Sequence, residues 1–304
     1  MYKRIQNQAN FHSSWDVIKQ SFLGPKQWMF WVVMALSLVN WGIEARKWQV
    51  LVAPVQHITL WKAFKAVLSG LALSLFVPNR VGEYVGRILY MDEGNRLRSI
   101  ALTLIGSVSQ LIVTLVAGIG GLIYLRSYVL TEGRQLQGLS AFWFDGMLYA
   151  IIVGTVLLLL VYYKLSRITS IIERIPFVSK YSFFIQKVET FHWKELTNVL
   201  MLSVVRFVVF TAQYLLLMQV FEVHIGIIDG WWIICVMFLV LAIVPTIPIA
   251  ELGVRGQASL QLFGLLSTNT IGIIATAAGI WGINLILPSL AGSLFILSIK
   301  LFRK

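Results

Sequence analysis

The chain has 304 residues, 58% of them hydrophobic and 12% charged, with a mean hydropathy of +0.80 and a formal net charge of +12. Soluble domains run at about 45–50% apolar and about 25% charged residues, so a soluble globular chain is excluded, and low-hydrophobicity disorder with it. The single cysteine, Cys235, excludes a disulfide framework, leaving an all-α polytopic membrane protein whose positive excess lies beside a membrane face.

Residues 1–27 read as a flanking amphipathic segment, with no apolar core of signal-peptide length in residues 1–20. Residues 28–304 read as a single transmembrane domain. A bilayer core of about 30 Å takes roughly 20 apolar residues per helix. The first span, Trp28–Ile43, is short, but Trp28, Trp31, Trp41 and Trp48 suit interfacial anchors. It runs into Glu44, Arg46 and Lys47, and Ser37, Asn40, Glu44 and Lys47 form a polar stripe at helical spacing. Leu60–Phe76 stops at Val77-Pro78-Asn79-Arg80 and resumes through Gly82, Glu83, Gly86 and Arg87, which predicts a re-entrant hairpin over about 60–90. Ile100–Leu125 is a full span that aligns Thr103, Ser107, Gln110 and Thr114, and Phe142–Tyr163 is another. The polar loop 165–195 mixes Ile171, Ile172, Ile175 and Phe177 with Arg174 and Lys180, as amphipathic helices on the inner leaflet do. Leu196–Val220 carries Arg206 near its centre, with Ser203 and Gln213 on the same face. Trp231–Val244 breaks at Pro245-Thr246-Ile247-Pro248 and resumes through Glu251, Gly253, Arg255 and Gly256, predicting a second hairpin over about 231–266. The last span, Ile271–Leu297, offers Thr276, Asn284, Ser289 and Ser293, with Pro288 as the expected kink. The total is five to seven spanning helices plus two hairpins.

Lysine and arginine bias orients the chain. The 164–194 loop, with Lys164, Arg167, Arg174, Lys180, Lys187 and Lys194, is expected in the cytoplasm, as is the tail with Lys300, Arg303 and Lys304. The two hairpins then enter from opposite sides. Working backwards puts residues 1–27 outside, although they carry Lys3, Arg4, Lys19 and Lys26 against Asp16 alone; the expectation is an upstream helix in the natural protein.

Paired Gly/Pro-interrupted segments in two halves point to a transporter's binding site, because a half-helix starting at membrane depth aims free N–H groups and a positive dipole end at the cavity. Pro78, Gly82, Pro245, Pro248 and Gly253 are the expected breakers, and Arg80, Glu83, Arg87, Arg206, Glu251 and Arg255 the expected substrate-binding residues. Arginine forks suit phosphate or carboxylate, while Glu83 and Glu251 would hold the arginines or bind a cationic headgroup or proton. The plainer alternative for each break is a turn at the membrane surface, and for Arg206 snorkelling to the interface. Asn40, Glu44, Ser107, Gln110, Gln213 and Asn284 are the expected groove-lining residues, helix–helix hydrogen bonding being the alternative for any one stripe. His12, His57, His192 and His224 lack metal-ligand spacing, no Walker-type loop occurs, and Cys235 sits in an apolar run, so no metal, cofactor or catalytic nucleophile is expected. Basic residues beside spans are not a nucleic-acid signal.

Three stretches carry a family resemblance: Glu44-Ala45-Arg46-Lys47-Trp48, Val77-Pro78-Asn79-Arg80-Val81-Gly82-Glu83-Tyr84-Val85-Gly86-Arg87, and Pro248-Ile249-Ala250-Glu251-Leu252-Gly253-Val254-Arg255-Gly256. From about residue 28 to the end the chain resembles the lysylphosphatidylglycerol synthase transmembrane region, the flippase-like domain of the multiple peptide resistance factor and of stand-alone relatives. Its second motif departs from the family's Pro-Gly-Gly-x-Gly pattern. The resemblance implies a lipid translocase with two re-entrant hairpins, as a homodimer or beside a lipid-modifying enzyme. The opposed broken segments, Arg206 and the three polar stripes lead to the expectation of a bacterial inner-membrane protein that moves a phospholipid or polyprenyl-linked amphiphile between leaflets. Its partners would be membrane lipids with anionic headgroups. The aminoacyl-transferase domain of the full synthases is absent from this sequence, so lysyl-lipid synthesis is not expected of it. The competing class is an intramembrane enzyme, or a subunit of one, acting on lipid-linked sugars or phospholipid headgroups, with Glu83 and Glu251 as acid and base. A third is a passive scaffold for a synthase.

Overall fold

The computed structural model describes residues 27–75, 77, 81–130, 141–164, 192–244 and 248–302. Among them there are helices and turns and no strand. Helix α1 (Gln27–Val52) is followed by the short pair α2 (Leu60–Ser74) and α3 (Val81–Ile88). Then come α4 (Arg96–Tyr124), α5 (Ala141–Tyr163) and α6 (Trp193–Val220). A second short pair, α7 (Ile227–Ile243) and α8 (Pro248–Phe263), precedes α9 (Thr270–Trp281) and α10 (Leu287–Phe302). Five helical stretches are long and apolar enough to cross a bilayer: Gln27–Val52, Glu93–Val129, Phe142–Tyr163, Trp193–Val220 and Thr270–Ile299. They are the five spans expected from hydropathy, and the chain is a polytopic all-α membrane protein. The apolar residues of α5 stay largely exposed, among them Phe142, Trp143, Val153, Leu157 and Leu160. Lipid is the solvent that tolerates such a surface.

Both broken segments form helix–break–helix units. Thr59 caps α2 by accepting from the Lys62 amide at 3.2 Å. Helix α3 then folds back onto α2 so closely that a Cβ at Gly86 would fall on the Gly70 backbone, and one at Gly82 on the backbone of Leu73 and Ser74. On its other side α2 packs against α10. Helix α7 docks along α4, where Gly118 and Gly121 let Leu239, Val236 and the Trp232 carbonyl approach the helix surface. The aromatic core between α6, α7 and α8 follows from this, with Phe207, Phe210 and Tyr214 around Phe238 and Phe263 beneath Tyr214. A second core joins α1, α2, α4 and α5 through Trp48, Leu51, Val67, Leu102 and Tyr162.

Several expectations need correction. The first helix does not end at Ile43 but continues to Val52, because Glu44 and Lys47 turn inward and pair with each other. Gly253 does not break a helix: it lies inside α8 with open space around it, and one glycine costs a helix only about 1 kcal/mol. Pro248 opens α8 as its first residue, where its missing N–H leaves no helical bond unmade. Gly82 likewise lies inside α3, where its role is close packing. The irregularity near Pro288 is a π-helical turn over Gly282–Ile286, placed where the proline ring would crowd the carbonyl of Asn284. Pro78, Arg80 and Pro245, residues 1–26 of the N-terminal segment and residues 165–191 of the amphipathic segment lie outside the described residues.

Candidate functional site

The polar stripe of α1 faces inward as its spacing requires, burying Ser37, Asn40, Glu44 and Lys47. Glu44 is the centre of the site. Its Oε2 lies 2.7 Å from Lys47 Nζ and 3.2 Å from Arg206 Nη1, and its Oε1 lies 2.9 Å from Arg87 Nη2. One carboxylate thus gathers cations from α1, α3 and α6. Arg87 also lies 3.7 Å from Glu83, one helical turn earlier in α3. Burying a charge is tolerated only when it is paired and hydrogen-bonded, and the shell around Glu44 supplies both. Arg206 donates from Nε to Asn40 Oδ1 at 3.0 Å and from Nη1 to Gln110 Oε1 at 3.3 Å. Its guanidinium lies 5.3 Å from the Trp41 ring centre, and that of Arg87 6.0 Å from Trp48. Lys47, only 1% exposed, donates to Ser203 Oγ at 3.4 Å, and Ser203 meets Ser109 at 2.8 Å.

The second unit contributes its own pair. Arg255 donates from Nη2 to Glu251 one turn away on α8. Arg255 is 6% exposed, and its Nε and Nη1 find no partner among the described residues.

A cavity of about 570 Å³ joins these groups. Its polar lining comprises Glu44, Lys47, Arg206 and Asn40, with Glu83 and Tyr84 from α3, Ser107, Gln110 and Thr114 from α4, and Glu251 and Arg255 from α8. Its apolar lining comprises Leu111, Phe207, Phe210, Phe238 and the Leu241–Val244 end of α7. Of these, Leu111, Ile243 and Val244 are exposed. The cavity therefore combines charged groups with apolar side chains that reach the molecular surface.

Of the residues expected at the site, Glu83, Glu251, Arg255, Arg206, Asn40, Glu44, Ser107 and Gln110 line this cavity, and Arg87 stands behind it on Glu44. Gln213 and Asn284 do not. Asn284 donates to Gln213 Oε1 at 3.0 Å and Gln213 to the Val33 carbonyl at 2.9 Å, a packed contact between α6, α1 and the π turn. Two turns separate Arg206 from Gln213 along α6, which is enough to move the latter out of the cavity. Lys47 was not expected as a site residue; its place three residues after Glu44 on the same stripe was the available signal. Among the described residues no group of three His, Cys, Asp or Glu side chains could hold a metal.

The sequence profile of the lysylphosphatidylglycerol synthase TM region matches residues 10–292. The chain belongs to this family. The match starts ahead of the first span and stops within α10, whereas the motifs alone suggested residue 28 to the end. No curated protein and no solved structure matches the chain. Membership makes it a membrane protein related to lipid handling, and in this member the two broken helix pairs border one charged cavity.

Proposed function

We propose that this family member is a lipid translocase, moving a phospholipid or polyprenyl-linked amphiphile between leaflets of a bacterial inner membrane, with its C-terminus in the cytoplasm. The observation that carries this reading is the mixed lining of the cavity, charged groups together with exposed apolar side chains. A headgroup requires charged groups such as Glu44, Arg206 and Arg255, while its chains require exposed apolar side chains such as Leu111, Ile243 and Val244. Keeping a cluster of ionised side chains at membrane depth is costly and is characteristic of substrate and ion pathways. The helix pairs α2/α3 and α7/α8 support the same reading, since broken helices at corresponding places in two halves are a transporter device.

The test is reconstitution of the chain into vesicles with headgroup-labelled lipid in one leaflet. Wild-type protein is expected to equilibrate the label faster than protein-free vesicles. Arg206→Ala, which loses the contacts to Glu44, Asn40 and Gln110, is expected to slow this at least about tenfold, the equivalent of one charge-assisted hydrogen bond. Unchanged transport in both Arg206→Ala and Glu83→Gln would remove this cavity as the pathway. The enzymatic reading draws on Glu83 and Glu251 sharing the cavity. It requires a new lipid product on incubation with purified protein, and a translocase yields none.

A further inference from the structure

Lys47 is the lysine of the cavity lining, and its surroundings can hydrogen-bond it with or without its exchangeable proton. As an ammonium it donates to Glu44 Oε2 at 2.7 Å and to Ser203 Oγ at 3.4 Å. Ser203 and Ser109 lie 2.8 Å apart. Each hydroxyl also has a backbone acceptor in its own helix, the Val199 carbonyl at 3.1 Å and the Gly106 carbonyl at 2.7 Å. A serine hydroxyl rotates to donate or accept as its neighbours require. If Lys47 becomes an amine, Ser203 can turn its O–H onto the new lone pair and Ser109 can donate to Ser203. The remaining N–H groups still reach Glu44, and Glu44 stays paired with Arg87 of α3 at 2.9 Å and Arg206 of α6 at 3.2 Å. Arginine keeps its proton in a protein, whereas a buried lysine can exchange its own. The other titratable groups of the lining are Glu83 and Tyr84 of α3 and Glu251 and Arg255 of α8. On this side α4 presents Gly106 and Ser109, neither of them ionisable.

We propose that Lys47 releases and regains a proton in each transport cycle, coupling lipid movement through this cavity to a proton gradient. This rests on the translocase reading and assigns its energy source. In the release step an N–H bond of the ammonium breaks, the amine keeps the electron pair, and the proton passes to water. The cavity, at about 570 Å³, has room for that water among polar groups. Uptake reverses the step, with water of the opposite face supplying the proton. A headgroup held beside Lys47 meets a different charge in the two states, and in a weakly screened cavity that difference alters its binding. Proton and lipid then each change the other's affinity by the same factor, which is the condition for coupling them.

The experiment uses the full chain in vesicles with a difference of one pH unit across the membrane. Headgroup-labelled phosphatidylethanolamine, phosphatidylglycerol and a polyprenyl phosphate are followed in parallel runs, each repeated with the gradient collapsed by an ionophore. A proton-coupled translocase shifts the final ratio of label between leaflets by up to about tenfold per proton and pH unit. Wild-type protein is expected to shift it by at least about threefold for one of the three labels. Lys47→Arg, which keeps the charge but not the exchangeable proton, is expected to abolish the shift. Ser203→Ala, which removes the hydroxyl facing Lys47, is expected to reduce it at least about twofold. If Lys47→Arg does not fold or does not transport, Ser203→Ala decides, and an unchanged shift there overturns the proposal. Wild-type transport to the same final ratio with and without the gradient retains the translocase and overturns the coupling. A shift that persists in folded Lys47→Arg does the same. No movement of any of the three labels beyond protein-free vesicles overturns the translocase, and the coupling with it.

Discussion

Replacing Glu44 by Gln keeps the shape of the side chain and removes the charge that three cations share. The losses can be worked through contact by contact. Arg87 retains Glu83 at 3.7 Å, and Arg206 retains Asn40 and Gln110 at 3.0 and 3.3 Å. Lys47, now 2.7 Å from an amide, keeps only Ser203 at 3.4 Å among its observed partners. Breaking a buried ion pair from one side costs about 3–5 kcal/mol because the remaining charge is left unpaired. At about 2 °C per kcal/mol for a chain of this size, Glu44→Gln should lower the unfolding midpoint by roughly 6–10 °C. Intrinsic tryptophan fluorescence during heating in detergent reports this directly, since Trp41 and Trp48 flank the cluster. Adding Lys47→Met removes the stranded charge and should recover at least half of the loss. Glu83→Gln gives up a longer contact to Arg87 from a more exposed side chain and should cost less than Glu44→Gln. A midpoint within about 2 °C of wild type for Glu44→Gln, or a larger effect from Glu83→Gln, would refute the central role given to Glu44.

The close backbone contact between α2 and α3 predicts that Gly86→Ala destabilises the protein by about 1–3 kcal/mol or prevents folding, whereas Gly253→Ala is neutral or stabilising by up to about 1 kcal/mol, both read from thermal unfolding. Gln213→Ala, which unties the buried link to Asn284 and Val33, should cost about 1–3 kcal/mol of stability with little change in transport per folded molecule. Gln110→Ala should do the reverse, lowering transport severalfold while shifting stability by about 1 kcal/mol or less, since Arg206 keeps Asn40 and Glu44. Cys235 is fully buried against the α4–α7 interface, so a maleimide should label it only after denaturation, as mass measurement would show.

Hydropathy sufficed for the spans because a bilayer imposes a length on each crossing helix, and all five expected stretches exist as helices. The two interruptions were equally legible, because Pro and Gly at membrane depth require a local rearrangement. What each did was less legible. Pro248 begins a helix and Gly253 sits unstrained within one, and no local rule separates those outcomes from a break. Gly82 and Gly86 act through the distance to α2, which is set by a partner helix rather than by their own neighbours.

The sequence by itself determined a helical membrane protein, its family motifs, and the set of charged residues that stand where lipid would otherwise be. Periodicity even placed Ser37, Asn40, Glu44 and Lys47 on one face of α1. Only the tertiary structure decided that this face meets Arg87 and Arg206, that Glu44 is a counter-ion shared by three cations, and that Arg255 is left with donors unmatched among the described residues. It also separated Gln110, on the cavity, from Gln213, in the packing. The physical reason is that a helix period fixes which side chains share a face, while the element opposite that face depends on how the helices pack in three dimensions.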